Sequence, residues 1–147
     1  MNNLEKIINE AWEKKEDINS SSPNEIIISI NEVLNKLDKG QIRVSEKING
    51  QWIVNQWIKK AILLSFRVNK MEILKGEQTT WYDKVKNKTT NWNEQDFLKA
   101  GYRSVPNAVV RKSAFIAKNV VLMPCFVNLG AFVDEGTMID TWATVGS

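Results

Sequence analysis

The 147-residue chain contains no histidine and one cysteine, Cys125. Without imidazole there is no Ser-His-Asp or Cys-His catalysis, no imidazole general base and none of the usual zinc motifs. One thiol can form neither an intrachain disulfide nor a cysteine cluster around a metal, and it fits a reducing compartment. Long apolar runs are also missing. None exceeds four residues, far below the length needed to span a bilayer. The N-terminal stretch Met1–Asp17 lacks a basic start followed by an apolar core, so it does not read as a secretory signal. Excess charge of one sign is scarce as well. The 20 Lys+Arg against 17 Asp+Glu leave +3. That is too weak a field to argue for nucleic acid or a membrane surface as partner. The expectation is a soluble cytoplasmic protein with no metal and no prosthetic group.

What is present suits a folded chain, with 43% hydrophobic residues and enough length to bury a real core. Leu4, Ile7, Ile8, Ala11 and Trp12 form one helical stripe, and Ile27, Ile30, Leu34 and Leu37 form another. Ser22 followed by Pro23 reads as an N-cap and first helical residue, and Gly40 after Lys36 and Lys39 reads as a stop. The spacing predicts helices over 3–16 and 23–38. Asn49-Gly50 between two short apolar segments predicts a hairpin with a type I′ turn. A third helix is expected over 55–66, with Lys59 and Lys60 facing water. Residues 69–92 read as irregular with short strands, and 93–100 as a short helix ended by Gly101. Trp12, Trp52, Trp57, Trp81 and Trp92 read mostly as core or subunit contacts rather than stacking platforms. No chemical motif stands in this region, which is expected to be an α+β domain over 1–101.

The period then changes. Val109, Phe115, Val121, Val127, Val133, Ile139 and Val145 stand six residues apart, and small residues follow four places later at Ser113, Asn119, Cys125, Ala131, Thr137 and Ala143. Six is neither helical nor a plain alternation. It is the period of a three-sided parallel β-helix, a hexapeptide-repeat solenoid with one hexapeptide to each side. The seven apolar residues are expected to point inward and the small ones to sit at corners. Cys125 reads as a buried, inert corner residue, with no cation beside it in the repeat to activate the thiol.

This second region, 102–147, holds only about two coils, and the chain stops in mid-repeat. Solenoids usually need three or more repeats and a cap, and an open coil exposes a β edge. The expectation is the truncated start of a longer solenoid, inactive when alone. A two-coil protein closed by a partner is the alternative.

The runs Val121-Leu-Met-Pro124 and Gly130 to Ser147 resemble the tetrahydrodipicolinate N-succinyltransferase family of the diaminopimelate–lysine route. So do Val44 to Trp52, Gln56 to Arg67, Gly101 to Pro106 and Arg111 to Asn119. The likeness runs along the whole chain. It implies a left-handed β-helix, a homotrimer, and succinyl-CoA as co-substrate, with no prosthetic group. The succinyl group would pass to the amine of the ring-opened 2-amino-6-oxopimelate. The resemblance assigns Arg103 and Asp140 to substrate binding, and it leaves Asp134, Glu135, Met138, Thr141 and Trp142 near the site without a role; Asp140 is also the candidate catalytic residue. It also implies that the coenzyme A surface lies mostly in coils this sequence lacks.

The residue types suit that chemistry. An Arg fork holds a carboxylate better than Lys does, and a carboxylate can take a proton from an attacking ammonium. Read without the resemblance, Arg103 is an ordinary surface cation and Asp140 a solvated turn residue. Two other readings stay open: a non-catalytic trimerising scaffold, and another hexapeptide acyltransferase. The missing histidine counts against the second, since hexapeptide acyltransferases resemble one another in using His as the base.

Overall fold

The computed structural model describes residues 3–76 and 79–147. They fall into two compact units, Met1–Asn35 with Val44–Lys86, and Lys36–Arg43 with Asn87–Ser147.

The first unit is helices and hairpins. Helix α1 (Asn3–Glu13) buries Ile8 and Ala11 and packs against α3 (Gln56–Val68). It stops short of residue 16 because the Lys14 and Lys15 amides turn back only three residues, to the Ala11 and Trp12 carbonyls. Helix α2 (Asn24–Asp38) begins one residue later than its sequence suggests. The Pro23 carbonyl accepts from the Ile27 amide and so takes the cap position, while Ser22 Oγ accepts from the Asn19 amide. Strands β1 (Ser45–Ile48) and β2 (Gln51–Val54) pair antiparallel as predicted. Asn49 and Gly50 both have positive φ, 50° and 83°, as a type I′ turn requires. The buried residues of α3 are Ile58, Ala61, Ile62, Leu64, Ser65 and Val68. Lys60 is not simply solvated, because its Nζ donates to Asn9 Oδ1 on α1 at 2.9 Å.

A second hairpin, β3 (Glu72–Lys75) with β4 (Thr80–Asp83), lies in the stretch read as irregular with short strands. Glu77 and Gln78 of that stretch lie outside the described residues. Trp12, Trp57 and Trp92 are half-buried, whereas Trp52 and Trp81 stand exposed on the hairpins and are no part of the core. Among the described residues no helix is long and apolar enough to cross a membrane.

The second unit starts at the end of α2. Gly40, at φ 68°, closes the helix: its amide bonds to the Leu37 carbonyl and the Gln41 amide to the Lys36 carbonyl, the double bond of a Schellman end. Helix α4 (Glu94–Ala100) is held by a capping box between Asn93 and Asp96 and ends at left-handed Gly101. Eight two-residue strands follow: β5 (Arg103–Ser104), β6 (Val109–Val110), β7 (Phe115–Ile116), β8 (Val121–Leu122), β9 (Phe126–Val127), β10 (Phe132–Val133), β11 (Met138–Ile139) and β12 (Thr144–Val145). They are dealt in rotation to three parallel sheets, β5-β8-β11, β6-β9-β12 and β7-β10. That is the connectivity of the start of a parallel β-helix.

The register corrects the inward set. Val127, Val133, Ile139 and Val145 do face the interior, but in the first half the interior positions are Val110, Ile116 and Leu122. Val109, Phe115 and Val121 are their outward neighbours on the strands. The cause is one omitted residue. Left-handed backbone recurs every six residues at Gly101, Asn107, Ser113 and Asn119, and again at Gly130, Gly136 and Trp142. Between the two series the corner falls at Pro124, whose ring forbids positive φ. That side is a residue short. Arg103 therefore pairs with Val121 eighteen positions on, but Val109 with Phe126 only seventeen on. The omission carries an outward frame into an inward one, which is how seven apolar residues kept a six-residue phase.

The small residues shift likewise. Ser113 and Asn119 are corners, whereas Ala131, Thr137 and Ala143 each follow one. Cys125 also follows its corner and points inward, 3% exposed, and burial raises its thiol pKa. It is an inert core residue, as its sequence context suggests.

Phe97 packs edge-on to both Trp92 and Tyr102, and Trp92 and Tyr102 lie tilted to each other, with centroids 5.1–6.1 Å apart, at the start of the first coil. The Tyr102 hydroxyl is buried with no hydrogen-bond partner. Burial, and then the negative charge of Asp38, push its pKa up from 10.0 to about 12. A raised folded pKa means that stability is intact below pH 10 and falls as pH rises toward 12, because the unfolded chain gives up its proton first. At about 1.4 kcal/mol per unit the loss approaches about 3 kcal/mol. Tyr102→Phe is expected to be at least as stable as the parent at pH 7 and to lack this alkaline decline. Thermal melts at pH 9, 10 and 11.5 check it; parallel losses in both proteins would refute the assignment.

Candidate functional site

The outer face of the sheet β5-β8-β11 brings the two sequence-predicted residues onto one surface. Arg103 on β5 lies in register with Val121 and Met138. The neighbouring outward row is Val105, Met123 and Asp140, placed by the bonds from Val105 N to the Leu122 carbonyl and from Met123 N to the Ile139 carbonyl. Ser104, Leu122 and Ile139 lie between the rows, and Leu122 is fully buried. Arg103 and Asp140 thus occupy opposite corners of a patch whose other members are apolar. They lie two strand spacings apart across the sheet, roughly 10 Å, and two residues along it, roughly 7 Å. Direct contact between them is not part of the arrangement.

Each is exposed and available. Among the described residues no ion pair or hydrogen bond engages the Arg103 guanidinium. Asp140 Oδ1 accepts from the Thr141 amide at 2.7 Å, which fixes the carboxylate, and its other oxygen is free to take a ligand proton. Beside it Trp142 is 79% exposed and holds φ 60°. Positive φ is an outlier for a bulky residue, and such backbone recurs at functional sites. The Trp142 amide donates to the Pro124 carbonyl, so the strained corner rests on the corner of the coil before it.

Two of the residues without a role are engaged locally. Asp134 Oδ1 accepts from the Glu135 amide, and Glu135 Oε1 accepts from Asn119 Nδ2 at 3.1 Å. The apolar residues Val105, Val121 and Met123 escaped the sequence reading because its frame put Val121 inside. The run of left-handed corners at 101, 107, 113 and 119, legible as Gly, Asn, Ser and Asn, is the signal that would have placed it outside.

A separate cleft of about 420 Å³ in the same unit is lined by Trp92, Lys99, Tyr102, Phe115, Lys118 and the ion-paired Asp38 and Lys88, among others. Neither Arg103 nor Asp140 reaches it. Among the described residues no group of His, Cys, Asp and Glu is placed to hold a metal.

Fold and face together define an α+β protein that runs into parallel coils carrying an Arg and a fixed carboxylate on one outer surface. Residues 3–68 match the family described as tetrahydrodipicolinate N-succinyltransferase N-terminal. Proteins called 2,3,4,5-tetrahydropyridine-2,6-dicarboxylate N-succinyltransferase are similar over nearly the whole chain. That of Parvibaculum lavamentivorans is 54% identical over 100% of this chain and 53% of its own length. That of Bradyrhizobium diazoefficiens is 57% identical over 98% and 52%, and that of Pelagibacter ubique 57% over 92% and 50%. The chain thus resembles the tetrahydrodipicolinate N-succinyltransferases along nearly its whole length. It spans about half the length of the curated relatives it matches.

Proposed function

We propose that this chain supplies the amine-substrate side of an N-succinyltransferase that acylates ring-opened tetrahydrodipicolinate with succinyl-CoA. The observation that carries the proposal is the likeness to succinyltransferases along the whole chain. The placement of Arg103 and Asp140 on one outer face supports it. Arg103 pairs with a substrate carboxylate through its two-pronged guanidinium. Asp140 holds the substrate ammonium and takes its proton. The free amine then attacks the thioester carbonyl, an amide C–N bond forms, the C–S bond breaks, and coenzyme A leaves as the thiol once protonated. Trp142 and the Thr141 amide keep the carboxylate aimed.

The same reading makes residues 1–101 the N-terminal domain and 102–147 the first coils of a left-handed β-helix. It gives a cytoplasmic homotrimer, with the acyl-donor surface in the length of the family that this chain does not span, so that these 147 residues are inactive alone.

Steady-state succinyl transfer by the full-length protein tests it. Arg103→Lys keeps a positive charge but loses the fork, so it is expected to raise KM for the dicarboxylate about tenfold while KM for succinyl-CoA stays within about twofold. An equal rise in both constants would remove Arg103 from the dicarboxylate site.

A further inference from the structure

The cleft of about 420 Å³ beside the first coil has the size of a small-ligand site. One wall is a single face of α4, where Asp96, Lys99 and Ala100 fall together by helical spacing. Another is the run from Phe115 on β7 to Lys118. Trp92 and Tyr102 flank α4 and line the cleft as well. The rings are held before any ligand arrives. Trp92 lies edge-on to Phe97 with centroids 5.1 Å apart, and Phe115 lies against Phe132 at 4.8 Å. A ligand that packs on them has little ordering to offset. The charges of the lining do not cancel. Asp38 is engaged by Lys88 and by the Ser113 amide, and Asp96 accepts from the Asn93 amide at 2.9 Å. Lys99 and Lys118 are exposed, and among the described residues no carboxylate pairs with either ammonium. Gly101 lets the Lys118 stem cross bare backbone at the end of α4, since a Cβ there would come within 3.1 Å of Lys118 Cγ.

We infer that this cleft is a second binding site, for a small aromatic carboxylate whose ring packs against Trp92 and Phe115 and whose carboxylate pairs with Lys99 and Lys118. The ring leaves water for an apolar wall of other rings. The carboxylate receives charge-assisted hydrogen bonds from two ammoniums that have no other partner. A cation with the same ring would be repelled by both, and a neutral molecule would leave both unused. The site is independent of the Arg103 and Asp140 face, because neither residue lines the cleft.

The test is calorimetric titration of the full-length protein, with no other ligand present, by three probes that share one ring system and differ in charge: 2-naphthoate, naphthalene-2-carboxamide and 2-naphthylmethylammonium. 2-Naphthoate is expected to saturate one site per chain with a Kd of about 1 mM or below. It should bind about fivefold more tightly than the amide, the worth of two open ion pairs, and the ammonium should bind most weakly. Lys99→Gln combined with Lys118→Gln, at two exposed positions, is expected to bring carboxylate and amide to equal affinity. Lys99→Glu combined with Lys118→Glu is expected to make the ammonium the best ligand of the three. Arg103→Ala is expected to leave the carboxylate's affinity unchanged. A parent that binds carboxylate and amide equally, or a Gln pair that keeps the parent's preference, overturns the inference. So does a loss of naphthoate binding in Arg103→Ala, which would put the probe on the other face, and so does the absence of saturable binding.

Discussion

Asp140→Asn in the full-length protein is expected to lower kcat by about 10²–10⁴, the usual cost of losing a general base. The substitution is nearly isosteric, and the carbonyl oxygen of Asn can still accept from the Thr141 amide as Asp140 Oδ1 does. The loop is thus preserved, and what is removed is the negative charge and the ability to take a proton. Substrate affinity should weaken far less than turnover, because Arg103 and the apolar floor remain. Circular dichroism and sedimentation establish that the variant is folded and assembled; steady-state kinetics then separate kcat from KM. Near-normal kcat in a folded, assembled variant would reduce Asp140 to a binding residue and require another base, and among the described residues of this face there is no second carboxylate beside it.

The residue types explain which features could be read in advance. Turns and helix stops are local, so Asn49-Gly50 and the Gly40 and Gly101 stops were legible from a few residues each. The six-residue period was legible because every coil repeats the same local geometry. The frame of that period was not. It depends on where the chain leaves one coil for the next, and the single omission at Pro124 is visible only through the pairing of residues seventeen or eighteen apart. An apolar residue on the outer face of a coil looks, in sequence, like one on the inner face. Val109, Phe115 and Val121 were therefore misplaced by one position, and the hydrocarbon floor of the candidate site went unseen. Arg103 and Asp140 carried no local signal at all. Their residue types and spacing are those of any exposed charge, and only resemblance singled them out. The ion pair of Asp38 with Lys88 was equally silent, since it joins residues fifty apart.

That ion pair yields the largest expected effect on stability. Lys88 Nζ lies 2.9 Å from Asp38 Oδ1 and donates also to the Asp38 carbonyl at 3.1 Å. The same carboxylate oxygen accepts from the Ser113 amide at 2.8 Å, where Ser113 turns a corner of the coil with φ 73°. The Lys88 side chain is only 9% exposed and the Asp38 side chain 30%. The end of α2, the start of the 87–147 segment and a coil corner are thus tied at one carboxylate. The net worth of the intact pair is modest, since both ions were desolvated to make it. Removing one partner is another matter. Asp38→Ala leaves a buried ammonium uncompensated and a corner amide without its acceptor, a loss of about 3–5 kcal/mol, and the partial exposure of Asp38 argues for the lower end. Lys88→Met is expected to cost about 1–2 kcal/mol, because Asp38 keeps the Ser113 amide and some water. The double variant should be more stable than Asp38→Ala alone, because it no longer buries a bare charge. Urea unfolding of the four proteins, followed by tryptophan fluorescence, measures the cycle. Strictly additive losses would mean that Lys88 and Asp38 do not depend on each other, and that the carboxylate acts only through the corner amide.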